Sequence, residues 1–109
     1  MCPTITSRRE KLETFLAANP ADPFARYGLA LECARLGDHP AALVHFDQLL
    51  TDHPAYVAGY FQYGQLLAQA GRTDEARRIF SAGVVVAQKA GDSHARDEIQ
   101  AALSALTAW

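Results

Sequence analysis

Apolar residues recur along the chain with the spacing of an amphipathic helix. Leu43, Phe46, Leu49 and Leu50 stand at i, i+3, i+6 and i+7, which places them on one face of an α-helix. Pro54 ends this stripe, because the residue before a proline is pushed out of the helical region. Similar stripes elsewhere in the chain predict an all-α fold.

Glycines and prolines divide the chain into the predicted helices. Pro23 suits the first turn of a helix, where its missing N–H leaves no hydrogen bond unmade. Gly37, Gly71 and Gly91 suit the left-handed position that follows a helix, and we expect Thr73 to cap the helix that begins beside it. The predicted helices span 7–18, 23–36, 39–53, from 55 or 56 to 70, from the cap at Thr73 to 89, and 93–107.

An internal repeat relates these helices in pairs. Shifting the sequence by 34 aligns a helix-ending glycine, a small residue five positions later and an aromatic residue four positions after that: Gly37, Ala42 and Phe46 with Gly71, Ala76 and Phe80. Each unit is therefore predicted to be two helices, with one unit at 23–54 and the next at 57–90.

The segments on either side of the two units are predicted to cap the stack. Segment 7–19 imitates the second helix of a preceding unit, since the same shift places its apolar positions on those of the first unit: Leu12, Phe15 and Leu16 on Phe46, Leu49 and Leu50. Segment 93–107 carries an apolar stripe with charged residues largely opposite. Stacked repeats leave their terminal faces open, so atypical amphipathic caps are expected there. We expect one domain over 1–109.

The composition fits a small soluble domain of close-packed helices. The chain has 109 residues, of which half are hydrophobic and 21 are alanine, and its net charge is -2. Alanine loses no side-chain entropy in a helix and lets two backbones approach closely. The near-zero charge lacks the basic field of a nucleic-acid binder. Without an apolar leader or span, we expect a cytoplasmic protein, and eight arginines against two lysines favour a bacterial source.

The two units resemble the tetratricopeptide repeat, W-x2-L-G-x2-Y followed by A-x3-F and P. The first unit reads Arg26-x2-Leu29-Ala30-x2-Cys33, then Ala42-x3-Phe46, then Pro54, and the second reads Tyr60-x2-Tyr63-Gly64-x2-Leu67, then Ala76-x3-Phe80. The sequence departs from the pattern at Arg26, which replaces a large aromatic residue, and at Gln88, which replaces the second proline. The resemblance implies antiparallel helix pairs stacked in a right-handed superhelix.

The resemblance also implies a protein–protein interaction module. In such repeats the first helix of each pair lines a concave groove that holds a peptide or a partner segment. The matching positions here are Phe24, Tyr27, Leu31, Phe61 and Gln65, and Ala95 and Ile99 extend the surface from the last helix. The alternative is that these side chains pack on one another and leave no open groove.

Some tetratricopeptide relatives clamp the C-terminal carboxylate of chaperone tails with Lys, Asn and Arg. The matching positions here hold Tyr27, Leu31, Gln62 and Gln65. Because binding a carboxylate needs cations and amide donors around it, we expect no binding of acidic chaperone tails.

Self-association is the second function class that the sequence supports. Short repeat arrays expose apolar end faces, and Ile99, Leu103, Leu106 and Trp109 provide apolar side chains near the end of the chain. A homodimer that buries these residues against a second copy is therefore the alternative to capture of a partner.

No constellation of residues suggests catalysis, a cofactor or a metal. The histidines are His39, His45, His53 and His94, and no two of them stand at i, i+4, so the helical zinc motif is missing. The serines lack the G-x-S-x-G elbow of a nucleophile. We expect a non-enzymatic protein without a cofactor.

Two further features have plain structural interpretations. Two cysteines are too few for a disulfide framework, and we expect Cys33 to behave as a small buried hydrophobe. Basic residues cluster at 8–11 and 72–78, but acidic residues interleave with them, which is typical of a solvated, salt-bridged face. We therefore expect neither a nucleic acid nor a membrane as partner.

Overall fold

The computed structural model of the protein describes residues 7–107, and these residues form helices and short turns. The six helices are α1 Arg8–Ala18, α2 Pro23–Arg35, α3 His39–Asp52, α4 Val57–Gln69, α5 Thr73–Lys89 and α6 Ser93–Thr107. The predicted all-α fold is confirmed. Trp109, which the sequence places among the residues for self-association, lies outside the described range.

Three glycines make the turns that end α2, α4 and α5. Gly37, Gly71 and Gly91 have φ angles of 81°, 78° and 72°, in the left-handed region that residues with a Cβ rarely adopt. After α2, the backbone N–H of Asp38 bonds to the carbonyl of Cys33 at 2.9 Å, which is the Schellman arrangement. The predicted roles of these glycines are confirmed.

The helix starts are capped less regularly than the sequence predicts. Ser7 and Glu10 form a capping box on α1, and Asp38 caps α3. Thr73 is instead the first residue of α5, and Arg72 occupies the capping position without a side-chain bond to the helix. The prediction for Thr73 is wrong because the turn at Gly71 starts α5 one residue earlier. Arg72 is the counterpart of Asp38 in the next repeat.

The core lies where the paired helices touch. Phe46 and Phe80 are buried, and so are the small residues that face them. A Cβ added at Gly64 would lie 2.6 Å from Cδ1 of Phe80, which is too close for any side chain. The approach of α4 to α5 therefore depends on glycine at this position.

The last helix is out of register with the first two units. α2 and α4 begin at positions 23 and 57, which agrees with the shift of 34, but α6 begins at position 93, two positions later than that shift requires. The cause is α5, which has 17 residues where α3 has 14. Ile99 therefore matches Tyr63 and not Gln65, and its side chain is fully buried.

Candidate protein-binding surface

Three depressions follow one another along the first helices of the pairs. They lie between α1 and α2, between α2 and α4, and between α4 and α6. Leu31 lines the first and the second, and Gln65 lines the second and the third. Neighbouring depressions thus share lining residues, and we call the three together the first-helix surface.

The depression between α1 and α2 is the apolar end of this surface. It has a volume of about 310 Å³ and holds Phe24, Tyr27 and Leu31 together with Leu12 and Phe15 of α1. The side chain of Phe24 is 76% exposed, whereas Tyr27 and Leu31 are half-buried. The structure therefore brings together three of the residues that the sequence assigns to the groove.

Two of the predicted aromatic residues, Tyr27 and Phe61, pack on the core and not on one another. The ring of Tyr27 lies 5.3 Å from that of Tyr56 and 6.4 Å from that of Phe46. The ring of Phe61 lies 6.5 Å from that of Phe80. Phe61 is half-buried and lies outside the residues that line the three depressions. Burial, followed by the nearby Tyr56 hydroxyl, raises the pKa of Tyr27, so its hydroxyl stays protonated at neutral pH.

The depression between α2 and α4 is rich in side-chain amides. It has a volume of about 300 Å³, and Gln62, Gln65 and Gln69 line it beside Leu31. Among the described residues none hydrogen-bonds to these three amides, which leaves their donors and acceptors available to a ligand. Gln65 was predicted here, whereas Gln69 was not.

The cation in this depression is already paired. Arg35 donates two hydrogen bonds to the carboxylate of Glu32, at 2.9 and 2.5 Å. Glu32 is buried, and the hydrogen bonds from Arg35 hold the pKa of its carboxyl below the usual range. Sequence reasoning missed this pair, although the i, i+3 spacing of Glu32 and Arg35 was a signal for it.

Arg26 has a structural role at the position where the repeat pattern has an aromatic residue. Its guanidinium donates to the Pro20 carbonyl at 3.5 Å and to Nδ1 of His45 at 3.2 Å. Tyr60, its counterpart in the next repeat, donates to the Pro54 carbonyl at 2.6 Å. Both side chains thus tie a first helix to the loop before it.

The residues predicted for self-association do not form one exposed face. Ile99 is buried inside the molecule, and a Cβ added at Gly83 would lie 3.3 Å from its side chain. Leu103 and Leu106 are half-buried against the core. Leu106 also lines the depression between α4 and α6. Ile99 therefore does not lie on the surface. The changed register of α6 also removes Ala95 from the groove position that the shift of 34 assigns to it.

The described part of the chain shows no metal-binding group, no accessible cysteine and no membrane-spanning helix. Residues 7–107 contain no group of three or more His, Cys, Asp or Glu side chains that could hold a metal ion. Cys33 is fully buried, and burial raises the pKa of its thiol. None of the described helices is long and apolar enough to cross a membrane.

The repeat pattern and the helix pairs agree with a known family. The sequence profile described as tetratricopeptide repeat matches residues 34–106, so the chain belongs to the tetratricopeptide repeat family. It is similar to the TPR repeat-containing protein PA0015 of Pseudomonas aeruginosa, at 30% identity over 90 residues, which cover 83% of this chain and 86% of that protein.

Solved structures of similar proteins have the same fold. The crystal structure of a tetratricopeptide repeat domain protein from Salinibacter ruber superposes with a TM-score of 0.77 at 33% identity, covering 80% of this chain and 97% of that one. The solution structure of protein BPP2914 from Bordetella parapertussis gives a TM-score of 0.80 at 28% identity, covering 94% and 90%. Tetratricopeptide repeat folds are generally protein–protein interaction modules and non-enzymatic scaffolds.

Proposed function

We propose that the protein binds a peptide or a partner-protein segment through the first-helix surface. The proposed contact residues are Phe24, Tyr27, Leu31 and Gln65, which line this surface, and Phe61, which lies outside its three depressions. The observation that carries the proposal is the exposure of Phe24, an aromatic side chain 76% open to solvent beside an apolar depression. A contiguous apolar patch of this kind is typical of an interaction site.

The two kinds of depression suit different parts of one ligand. The apolar end beside Phe24 and Tyr27 would take a bulky apolar side chain. The amides of Gln62, Gln65 and Gln69 can both donate and accept hydrogen bonds, which matches the N–H and C=O groups of a peptide backbone. A segment that places an apolar residue near α1 and continues across α4 would use both.

Quantitative capture from the cells that express the protein tests the proposal. The variants Phe24→Ala and Gln65→Ala change side chains that are open to the surface, so the fold is preserved. Val44→Ala on α3 is the matched control, because Val44 is 65% exposed and lies outside the first-helix surface. The proposal requires that both surface variants lose a partner that the wild type and Val44→Ala retain.

The half-buried aromatic residues provide a second test. Tyr27→Ala and Phe61→Ala remove ring contacts with the core, so circular dichroism must first establish that each variant is folded. Partner capture that is unchanged in both folded variants would rule out their assignment as contact residues.

Self-association remains the alternative proposal. Leu103 and Leu106 are only partly covered, and Trp109 completes the set that the sequence assigns to it. Light scattering at micromolar concentration separates the two functions. A monomer supports capture of a partner, and a dimer that dissociates in Leu103→Ala or Leu106→Ala supports self-association.

A further inference from the structure

α1 corresponds to the second helix of a repeat whose first helix is not among residues 7–107. Within the described residues, α3 packs between α2 and α4, whereas α1 packs on α2 alone. The shift that relates the repeats places Leu12 on Phe46 and Phe15 on Leu49. In this correspondence α1 packs on α2 as α3 packs on α4. No helix in residues 7–107 covers α1 in the way that α2 covers α3.

The burial of equivalent side chains shows the consequence. Phe46 and Leu49 are fully buried, because α2 and α4 both cover α3. Leu12 is only half-buried, and Phe15 is 48% exposed. The exposed apolar surface of α1 is therefore the surface that a first helix covers one repeat later.

One repeat later, the position equivalent to the depression between α1 and α2 lies between α3 and α4. In that repeat it is filled by α2. The depression's lining residues Leu12, Phe15 and Asp22 are the counterparts of Phe46, Leu49 and Tyr56. In the complete unit, Tyr27 of α2 packs against Phe46 and Tyr56. We call this depression the helix seat.

We propose that the helix seat binds an amphipathic α-helix of a partner protein, antiparallel to α1 as α2 is to α3. This deepens the proposed function, on which it rests, by naming the form of the partner at one end of the first-helix surface. The equivalent position within this same chain is occupied by a helix of 13 residues, α2, which sets the length of partner helix that fits.

The charges that line the seat favour that orientation. Arg8 lies at the first turn of α1 and makes no ion pair with any described residue. An antiparallel helix would bring its C-terminal half, with its partial negative charge, toward Arg8. Asp22 lies toward the other end of the seat, where the partial positive charge of the partner's N-terminus would lie.

The complete unit also indicates what the partner helix carries on its contact face. Ala30 and Cys33 of α2 are fully buried beside α3, so this face combines small and medium apolar residues. The seat has Gly28 where α4 has Gln62, which leaves room for a larger apolar side chain. The partner is therefore an amphipathic helix with alanine-like residues opposite Leu12 and bulkier residues on either side.

A second copy of this chain is a poor occupant. Within residues 7–107 no second helix follows its first-type helix α6, and the register places Gln100 of α6 on Ala30 and Gly64. Those positions are small and buried because a paired helix must approach there, whereas Gln100 is large, polar and exposed. Head-to-tail pairing of α6 with α1 would bury this amide.

A synthetic peptide with the sequence of residues 22–36, carrying Cys33→Ala, is the probe. It reproduces the helix that fills the equivalent place, and it is titrated into the isotope-labelled full chain while amide NMR shifts are followed. We expect saturable binding with a Kd below about 1 mM. The perturbed amides should lie on α1 and α2 around Leu12, Phe15 and Gly28.

Two matched variants locate the binding. Phe15→Glu places a charge in the seat and should weaken the peptide about tenfold or more, whereas Val85→Glu on α5 should not, although Val85 is as exposed as Phe15. Gln65→Ala should also leave the peptide affinity unchanged, because Gln65 lies outside the seat.

The outcomes separate this inference from the proposed function. Absence of saturable binding, or shifts confined to the depression around Gln62 and Gln65, would overturn the helix seat and leave the proposed function standing. A peptide-free dimer that Phe15→Glu dissociates would overturn the partner helix in favour of a second copy. Loss of partner capture in Gln65→Ala with intact peptide binding would support both sites.

Discussion

The ring of Phe80 lies directly against the backbone of Gly64, where an added Cβ would come within 2.6 Å of Cδ1 of the ring. We expect Gly64→Ala to force α4 and α5 apart and to lower the free energy of unfolding by about 1–3 kcal/mol, the range for overpacking of a core. Urea denaturation followed by circular dichroism measures the change.

Gly28→Ala is the matched control for that substitution. A Cβ at Gly28 would lie 3.5 Å from Leu12, an ordinary contact, and alanine is favoured over glycine within a helix by about 1 kcal/mol. We expect this variant to be at least as stable as the wild type. Equal stabilities of Gly64→Ala and the wild type would contradict the role of the close approach.

Ile99 is part of the core and not of an end face. Its side chain is fully buried, so Ile99→Ala should lower the free energy of unfolding by about 2–5 kcal/mol through lost packing and a cavity. Leu106→Ala should cost less, because Leu106 is half-buried. Chemical denaturation of both variants tests the order, and a larger loss for Leu106→Ala would contradict it.

Stability should fall in mild acid because of His45. Burial and the neighbouring Arg26 and Arg9 lower the pKa of its imidazole, although Glu13 and Asp38 oppose them. As the pH falls, the unfolded chain takes up this proton near the ordinary pKa of about 6.5. The folded chain takes it up only at a lower pH. The free energy of unfolding should therefore decrease as the pH falls below that value.

Denaturation curves at about pH 7.5 and pH 5.5 measure this effect. His45→Asn offers the control, because its side-chain oxygen can still accept the hydrogen bond from Arg26 while it cannot take up a proton. A loss of stability in acid that is as large in His45→Asn as in the wild type would assign the effect to other groups.

Peptides with an acidic C-terminal tail should not bind at micromolar concentration. Arg35 lies beside Gln62 and Gln65, but Glu32 already neutralises it through two hydrogen bonds. Isothermal titration calorimetry with such a peptide should show no saturable heat. Micromolar affinity would contradict this prediction.

Local signals were sufficient for most of the fold. Gly37, Gly71 and Gly91 mark helix ends because few other residues adopt their backbone angles, and shifting the sequence by one repeat recovers the helix pairs. Ile99 was misplaced because the shift assumes equal helices, and α5 is longer without a proline to end it. The predicted end of α5 at 89 and start of α6 at 93 already contain this change of register, which a single shift of 34 ignores.

The candidate site was only partly predictable. The exposed position of Phe24 follows from the repeat pattern, and so does the amide of Gln65. The exposure of Phe15 does not, because its apolar stripe reads as core whereas no helix of residues 7–107 other than α2 packs on α1. Arg26 could not be interpreted from the sequence, since its partners Pro20 and His45 come from separate parts of the chain.

Photo-crosslinking tests most directly whether the first-helix surface is the interaction site. p-Benzoylphenylalanine replaces Phe24 or Gln65 in one pair of variants, and Val44 or Val85 in the control pair. Each variant is irradiated in the cells that express the protein. We expect a shared protein adduct from positions 24 and 65 and none from positions 44 and 85. Adducts at 44 and 85, with none at 24 and 65, would contradict the proposal.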